Sequence, residues 1–311
     1  MKAVLPALAR ALLEPRLPTG LEVTWVTTRE EATTAMADAD IGWVDLYPHG
    51  LTPEAVAAGT SLKWLFTAIA GVESLDLPTL AARGTVVTNG AGINAIAVAE
   101  YAVLGILAAA KRFDRVVRSA DRHEWPDYAP GRLELFETAA LIVGYGAIGR
   151  LIGERLAAFG VAVTGVTRSG QGGTLTPDAW KARLGDFDWV ILAAPSTDAT
   201  KTLIGADELA AMKPDAWLIN MARGDMVDQD ALIAALTKKT IAGAFLDTVT
   251  PEPLPAEHPL WSAPNAIHSM HLSGRSQTKM FQRAAALFLR NLDAFLAGKP
   301  MVNVVDLGAG Y

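Results

Sequence analysis

The sequence predicts an α/β protein of two domains built on parallel sheets. Strand-like apolar runs alternate with helix-like segments from end to end, the pattern of parallel strands joined by crossover helices. At 311 residues the chain is long for one compact core. Near its middle, a Gly-x-Gly-x-x-Gly stands between an apolar run and a helical pattern.

Early strand candidates are Glu22–Val26, Ile41–Val44, Trp64–Thr67 and Thr85–Thr88, with a helical piece at Pro53–Ala58. No full strand is evident before the first helix, so the edge of this small first domain reads as abbreviated. Asn94–Val117 carries alanine, leucine and valine at helical spacing, interrupted only by Gly105, and reads as one long helix bridging two domains. After a loop around Trp125–Gly131 come strand candidates at Ala139–Val143, Val161–Val166, Trp189–Ala193, Trp217–Asn220, Ala242–Leu246 and Ala266–Ser269. Six strands suit a full dinucleotide-binding unit. Thr176 before Pro177 and Asp228 before Asp230–Thr237 read as helix N-caps. A last helix from about Ser276 to Leu296 precedes an extended tail, Val302–Val305, expected to pack back on the first domain. The expected architecture is a Rossmann dinucleotide-binding domain over residues 96–276 and a smaller flavodoxin-like domain formed by residues 1–95 and 277–311.

Composition narrows the function. The chain is 51% hydrophobic and 19% charged, as in a globular protein, and no apolar run approaches the roughly 20 residues of a membrane span. A net charge of −6 leaves no basic stripe for nucleic acid. The absence of cysteine excludes disulfides, thiolate metal sites and a cysteine nucleophile, and fits a reducing compartment. The N-terminal stretch is interrupted by Pro6, Arg10, Glu14 and Arg16, which argues against an export signal and makes the cytoplasm the expected location.

In Leu141-Ile142-Val143-Gly144-Tyr145-Gly146-Ala147-Ile148-Gly149-Arg150 the three glycines have distinct tasks. Gly144 permits the tight turn, Gly146 lets backbone amides approach a pyrophosphate, and Gly149 allows helix and strand to pack closely. An NAD site usually ends its second strand with an acidic residue for the ribose 2′-hydroxyl. Here that strand ends in Thr167-Arg168-Ser169, where a guanidinium between two hydroxyls could bind a 2′-phosphate. NADP is therefore the expected cofactor, with NAD as the alternative.

Three later segments place polar residues at strand ends, where open α/β sheets bind ligands: Asn220-Met221-Ala222-Arg223-Gly224-Asp225, Asp247-Thr248-Val249-Thr250-Pro251-Glu252-Pro253-Leu254, and His268-Ser269-Met270-His271-Leu272-Ser273-Gly274. The odd spacing of His268 and His271 on a strand would point them to opposite faces, against a shared metal, and no metal site is expected. His49, His123 and His258 read as loop histidines; Tyr47 and Trp125 read as packing aromatics.

With these segments, together with Ala70-Gly71-Val72-Glu73, Val98-Ala99-Glu100 and Ala194-Pro195-Ser196-Thr197, the chain resembles the D-isomer-specific 2-hydroxyacid dehydrogenase family, in particular its glyoxylate and hydroxypyruvate reductase-like members. The resemblance implies hydride transfer between NADP(H) and a small 2-oxo acid or D-2-hydroxy acid, with Arg223, Glu252 and His271 as the catalytic set. Arg223 would hold the substrate carboxylate and polarise its carbonyl, and His271 would donate the proton. Glu252 would favour the imidazolium. The resemblance also assigns Ala70 and Gly71 to the substrate carboxylate, Asp247 to the nicotinamide carboxamide, and Ala147, Ile148, Pro195, Thr200 and Met221 to the cofactor lining. It implies a homodimer. Met270, where the family often has proline, is a departure. A non-catalytic NAD(P)-sensing protein is the competing reading, distinguished by cofactor binding without turnover.

Overall fold

A computed structural model of the chain describes residues 1–46 and 50–310. Tyr47 and His49, weighed above, lie outside the described residues. The chain divides into two compact units, Met1–Asn94 with Gln277–Tyr311, and Ala95–Ser276.

In the first unit, β1 (Lys2–Pro6), β2 (Glu22–Val26), β3 (Ile41–Gly42), β6 (Trp64–Phe66) and β7 (Val86–Thr88) form a parallel sheet of order β2-β1-β3-β6-β7. Two short antiparallel strands, β4 (Asp45–Leu46) and β5 (Gly50–Leu51), stand apart from it. The expectation of an abbreviated N-terminal edge is wrong, since β1 is a full interior strand. Its apolar core is only Ala3-Val4-Leu5, closed by Pro6, which is too short to register as a strand by pattern. Both sheet faces are buried, as parallel sheets require. One face packs Trp43, Trp64 and Phe66 on the helix Met280–Leu296, where Phe288 stacks on Trp64 with centroids 5.1 Å apart. The other packs Val4, Leu65 and Val87 on the helices Arg29–Met36 and Pro53–Ala58. The tail does return to this unit: buried Asn291 exchanges two 2.9 Å hydrogen bonds with Val302, and the Val305 amide donates to the Val87 carbonyl at 2.8 Å.

The second unit contains β8 (Ala139–Val143), β9 (Ala162–Val166), β10 (Trp189–Leu192), β11 (Trp217–Asn220), β12 (Gly243–Leu246) and β13 (Ala266–His268). All six run parallel, in the order β13-β12-β11-β10-β8-β9. The two-residue side-chain period sorts them cleanly: Leu141, Val190, Leu218 and Leu246 enter one apolar layer, and Ile142, Ile191, Ile219 and Phe245 the other. The order reverses at β8, whose sequence successor β9 lies on one side and β10 on the other. Ligands of open α/β sheets bind at such a point, beyond the carboxyl ends of the strands.

Two helical expectations fail here. Asn94–Val117 is not one helix but two, Ala95–Lys111 and Phe113–Asp121, separated by Arg112 in the left-handed conformation (φ 50°). Tertiary contacts override the continuing periodicity. The Arg112 guanidinium bonds Asp114 and Asn265 and lies over the Trp217 ring, while Gly131 packs where a β-carbon would stand 2.4 Å from the Lys111 carbonyl carbon. Gly105 lies against the Phe245 ring, so its presence inside an apolar helix reflects close packing. Thr176-Pro177 opens a turn leading to the 3-10 helix Lys181–Asp186 rather than capping an α-helix, because Leu175 is still bridged to Val166. Asp228 does cap its helix, Gln229–Lys238, accepting from the Ala231 amide at 2.9 Å.

Candidate active site

At the reversal point the glycine turn follows β8 directly. Gly144 takes φ 97°, and a β-carbon there would stand 2.3 Å from the Ala194 amide nitrogen beyond β10. Gly149 is buried, with space for a β-carbon blocked at 2.3 Å by the Gly144 carbonyl oxygen. Gly146 differs from both. A β-carbon on it would meet nothing within 4 Å and its φ is −87°, so the protein's own packing does not require glycine there and the space before the helix stays open. Gly146 and Ala147 are exposed, and the 12-residue helix Ala147–Ala158 begins with no capping side chain. Its first amides and positive dipole end are left for an anion. These residues fit a dinucleotide pyrophosphate.

Beyond β9, Arg168 and Ser169 are exposed and no acidic side chain stands among Thr167, Arg168 and Ser169. The Ser169 hydroxyl accepts from the Gln171 amide at 3.4 Å, and Thr167 is half-buried. The Thr167 hydroxyl is 2.7 Å from that of Thr174 and accepts from the Gly170 amide at 3.1 Å, so it closes its own turn. Thr200 likewise spends its hydroxyl within 195–200, donating to the Pro195 carbonyl and accepting from the Thr197 amide, each at 2.8 Å. Pro195 and part of Ile148 remain exposed, whereas Met221 is buried in the layer containing Ile219 and Phe245 and backs the strand end rather than lining it.

The polar strand ends are tied together. After β11, buried Asn220 accepts from the Ala222 amide at 3.0 Å and donates to the Arg223 carbonyl at 2.9 Å, which shapes the turn presenting Arg223. Gly224 then packs onto the loop after β12, where a β-carbon would stand 2.1 Å from the Val249 carbonyl carbon. That loop carries Glu252, whose carboxylate accepts from the Val249 amide at 3.2 Å and meets His271 Nδ1 at 2.7 Å. Gln229, at the start of its helix, holds the same loop: its amide oxygen accepts from the Thr250 amide at 2.9 Å and its amide nitrogen donates to the Thr250 carbonyl. Sequence reading missed Gln229, whose only signal was its place beside the helix cap.

The strand after Asn265 ends at His268, so alternation does not set the orientation of His271. Met270 and His271 both adopt positive φ (51° and 53°), turning the chain sharply. Asp247 holds this turn. Only 2% exposed, it accepts from the Ser269 hydroxyl at 2.7 Å, the Leu272 amide at 3.1 Å and the Ser273 amide at 3.3 Å, and from the Ser273 hydroxyl. Oδ1 takes three of these bonds and Oδ2 one, so the carboxylate expected at the nicotinamide carboxamide also holds the His271 turn, with acceptor capacity left on Oδ2. His268 faces Leu260, with Nε2 3.1 Å from that carbonyl, and burial lowers its pKa. A cavity of about 360 Å³ lies beside the pair, lined by Glu252, Leu254, Trp261, His268, His271 and Arg275. Among the described residues no cluster of three or more His, Asp or Glu could hold a metal.

In the first unit, Ala70 and Gly71 belong to a turn after β6. The Ala70 carbonyl accepts from the Asn89 side chain at 2.7 Å and the Ile69 carbonyl from the Gly90 amide at 3.0 Å. Among the described residues the amides of Ala70 and Gly71 have no acceptor.

A reversing parallel sheet, an open glycine turn at a helix start and an imidazole–carboxylate pair at the strand ends define a nucleotide-dependent dehydrogenase architecture. A family profile described as the NAD binding domain of D-isomer specific 2-hydroxyacid dehydrogenases matches residues 103–273, more than half of the chain. The glyoxylate reductase of Thermofilum pendens is 34% identical over 285 residues, covering 88% of this chain and 84% of that protein. A solved D-isomer specific 2-hydroxyacid dehydrogenase family protein from Aeromonas salmonicida superposes with a TM-score of 0.87 at 28% identity, covering 98% of this chain and 99% of that one. The NADPH-dependent glyoxylate/hydroxypyruvate reductase of Sinorhizobium meliloti, solved with NADP and malonate, gives 0.76 at 28% identity, covering 99% and 98%. The chain belongs to the D-isomer-specific 2-hydroxyacid dehydrogenase family. Its second unit contains the NAD(P)-binding domain.

Proposed function

We propose that this protein is an NADP(H)-preferring reductase of small 2-oxo acids, such as glyoxylate or hydroxypyruvate, yielding D-2-hydroxy acids. The observation that carries the reading is the 2.7 Å contact between His271 Nδ1 and Glu252, on loops fixed to the segment bearing Arg223. Glu252 holds the Nδ1 side of the ring at 2.7 Å and so aims the opposite ring nitrogen to give its proton to the substrate carbonyl oxygen. Arg223 supplies positive charge for the substrate carboxylate and for the oxygen that becomes anionic. Ala70 and Gly71 contribute main-chain amides to the carboxylate. In oxidation His271 accepts the proton instead.

Gly144, Gly146, Ala147, Ile148 and Gly149 would hold the dinucleotide at its pyrophosphate, with Pro195 beside it, and Arg168 and Ser169 would take the 2′-phosphate. When bound, that cofactor supplies or accepts the hydride. Thr167, Thr200 and Met221 serve by shaping the site, and Asp247 by holding the turn of His271.

A homodimer is part of the proposal. The stretch from the helix start at Phe113 to the segment before β8 leaves Phe113 54%, Trp125 96%, Tyr128 86% and Phe136 64% exposed, an apolar load that a partner copy would cover. The proposed location is the cytoplasm, in keeping with the absence of cysteine. Among the described residues no helix is long and apolar enough to cross a membrane.

The test is a panel of 2-oxo acids followed by NADPH and NADH absorbance. Turnover of glyoxylate or hydroxypyruvate is expected, with kcat/KM for NADPH at least about 10-fold above that for NADH, the scale of one charge-assisted contact. Tight cofactor binding without turnover across the panel would sink the enzymatic reading, and a preference for NADH would sink the assignment of Arg168.

A further inference from the structure

The turn that offers the Ala70 and Gly71 amides is held from beneath by a carboxylate that has no place in the chemistry above. Asp45 lies on β4, and although the residue keeps some surface its carboxyl group is enclosed. One oxygen accepts from the Thr67 hydroxyl at 2.9 Å. The other accepts from the Ala68 amide at 2.5 Å and from Trp43 Nε1 at 2.9 Å. The Thr67 hydroxyl in turn accepts from the Ile69 amide at 3.1 Å. Every main-chain donor from Thr67 to Ile69 is thereby used, Thr67 itself donating to the Thr88 carbonyl, and the free donors begin at Ala70.

The other side of the turn is equally constrained. Gly90 lies so close that a β-carbon there would stand 1.9 Å from the Ala68 carbonyl oxygen, and Asn89 holds the Ala70 carbonyl. Asn303 from the C-terminal tail grips Asn89, accepting from its amide at 3.0 Å and donating to its carbonyl at 3.2 Å. What this carboxylate achieves is a single alignment of two successive free amides, the arrangement that receives an anion.

We propose that Asp45 is a positioning residue for substrate, fixing the Thr67–Gly71 turn so that the Ala70 and Gly71 amides are ready for the carboxylate of a 2-oxo acid. The proposal rests on the reading of the protein as a 2-oxo acid reductase. It predicts an effect on substrate capture rather than on the proton or hydride step, because Asp45 touches neither reacting group.

The experiment measures steady-state kinetics with glyoxylate and NADPH for the full-length protein and three variants. Asp45→Ala is expected to raise KM for glyoxylate about 10- to 100-fold, the scale of a lost charged hydrogen bond or two. Its kcat at saturation should stay within about threefold, and KM for NADPH should not move. Asp45→Asn should restore KM to within about threefold. Its amide oxygen can accept from Ala68 and Trp43 while its amide nitrogen faces the Thr67 hydroxyl, which can accept. Thr67→Val keeps the shape, removes only the linking hydroxyl and should raise the same KM by roughly 3- to 10-fold; it decides the matter if Asp45→Ala fails to fold.

An unchanged KM for glyoxylate, parallel losses in kcat and both Michaelis constants, or an asparagine variant no better than alanine would each overturn the role. A wild-type protein that turns over no 2-oxo acid is a separate result. It refutes the underlying reading and the role of Asp45 with it.

Discussion

The two units use the same device to different ends. In each, an enclosed aspartate beside a strand end gathers hydroxyl and amide donors from a turn and so sets its shape: Asp45 for Thr67–Gly71, Asp247 for Ser269–Ser273. The turn over Asp45 presents only main-chain amides. The turn over Asp247 presents an ionisable side chain, His271, already committed on one nitrogen to Glu252. A carboxylate under bare amides can influence how well an anion is held, whereas one under an imidazole can influence where a proton is delivered. Damage to the two should therefore separate into binding and turnover.

The largest effect is expected from Asp247→Ala. It leaves two hydroxyls and two amides in the 269–273 turn without their acceptor, destabilising the fold by several kcal/mol on the scale of about 1–3 kcal/mol for each unsatisfied buried group. Turnover should fall about 10²- to 10³-fold as the imidazole loses its orientation. Measured kcat for Asp247→Ala, His271→Ala and the double variant tests the comparison directly. If Asp247 acts through His271 alone, the double variant is no worse than His271→Ala within about threefold. A double variant far below that level would break the parallel with Asp45 and restore a direct contact between Asp247 and the cofactor.

Much of this was legible in the amino-acid order. The strands read correctly where four or five apolar residues stand together, as in Ala139–Val143, and the glycine turn was recognisable because strand and helix signals flank it. His271, Glu252 and Arg223 stood out as polar groups where a structural sheet has no use for them. What escaped was long-range. Asp45 meets Thr67 across 22 positions, Gln229 meets Thr250 across 21, and Arg112 meets Asn265 across 153; no periodicity encodes such pairs. The strand Lys2–Pro6 escaped for a local reason: its apolar run Ala3-Val4-Leu5 is cut by Pro6 and passes directly into helical residues, so its neighbours β2 and β3 define it.

A smaller change tests how the two cation-bearing and acid-bearing segments of the second unit are coupled. Gly224→Ala introduces a β-carbon 2.1 Å from the Val249 carbonyl carbon, so the Arg223 turn and the Glu252 loop must move apart by an ångström or more. The expected cost is about 1–3 kcal/mol of stability, with a 10- to 100-fold loss in kcat/KM. Thermal unfolding beside steady-state kinetics checks it. Unchanged kinetics would mean that Arg223 and Glu252 do not depend on a shared backbone contact, and that only the aspartate-held turns matter.

The smallest effect on turnover is expected from Asp45→Asn, and its signature lies in pH. Burial, outweighing the hydrogen bonds from Ala68, Thr67 and Trp43, raises the Asp45 carboxyl from its ordinary 3.8 to about 6. The folded state therefore binds this proton more tightly than the unfolded chain does, and stability is favoured where the group is protonated in both. As pH rises from 3.8 through about 6, the unfolded chain releases the proton first and the advantage is lost. The asparagine variant has no such group. Denaturant unfolding at pH 4 and pH 7 should show the wild type losing up to roughly 3 kcal/mol relative to Asp45→Asn across that interval. Parallel stability curves for the two proteins would mean that the carboxyl is as well solvated folded as unfolded. In that case the turn would be held without a desolvated charge, and the likeness between Asp45 and Asp247 would be one of hydrogen-bond geometry alone.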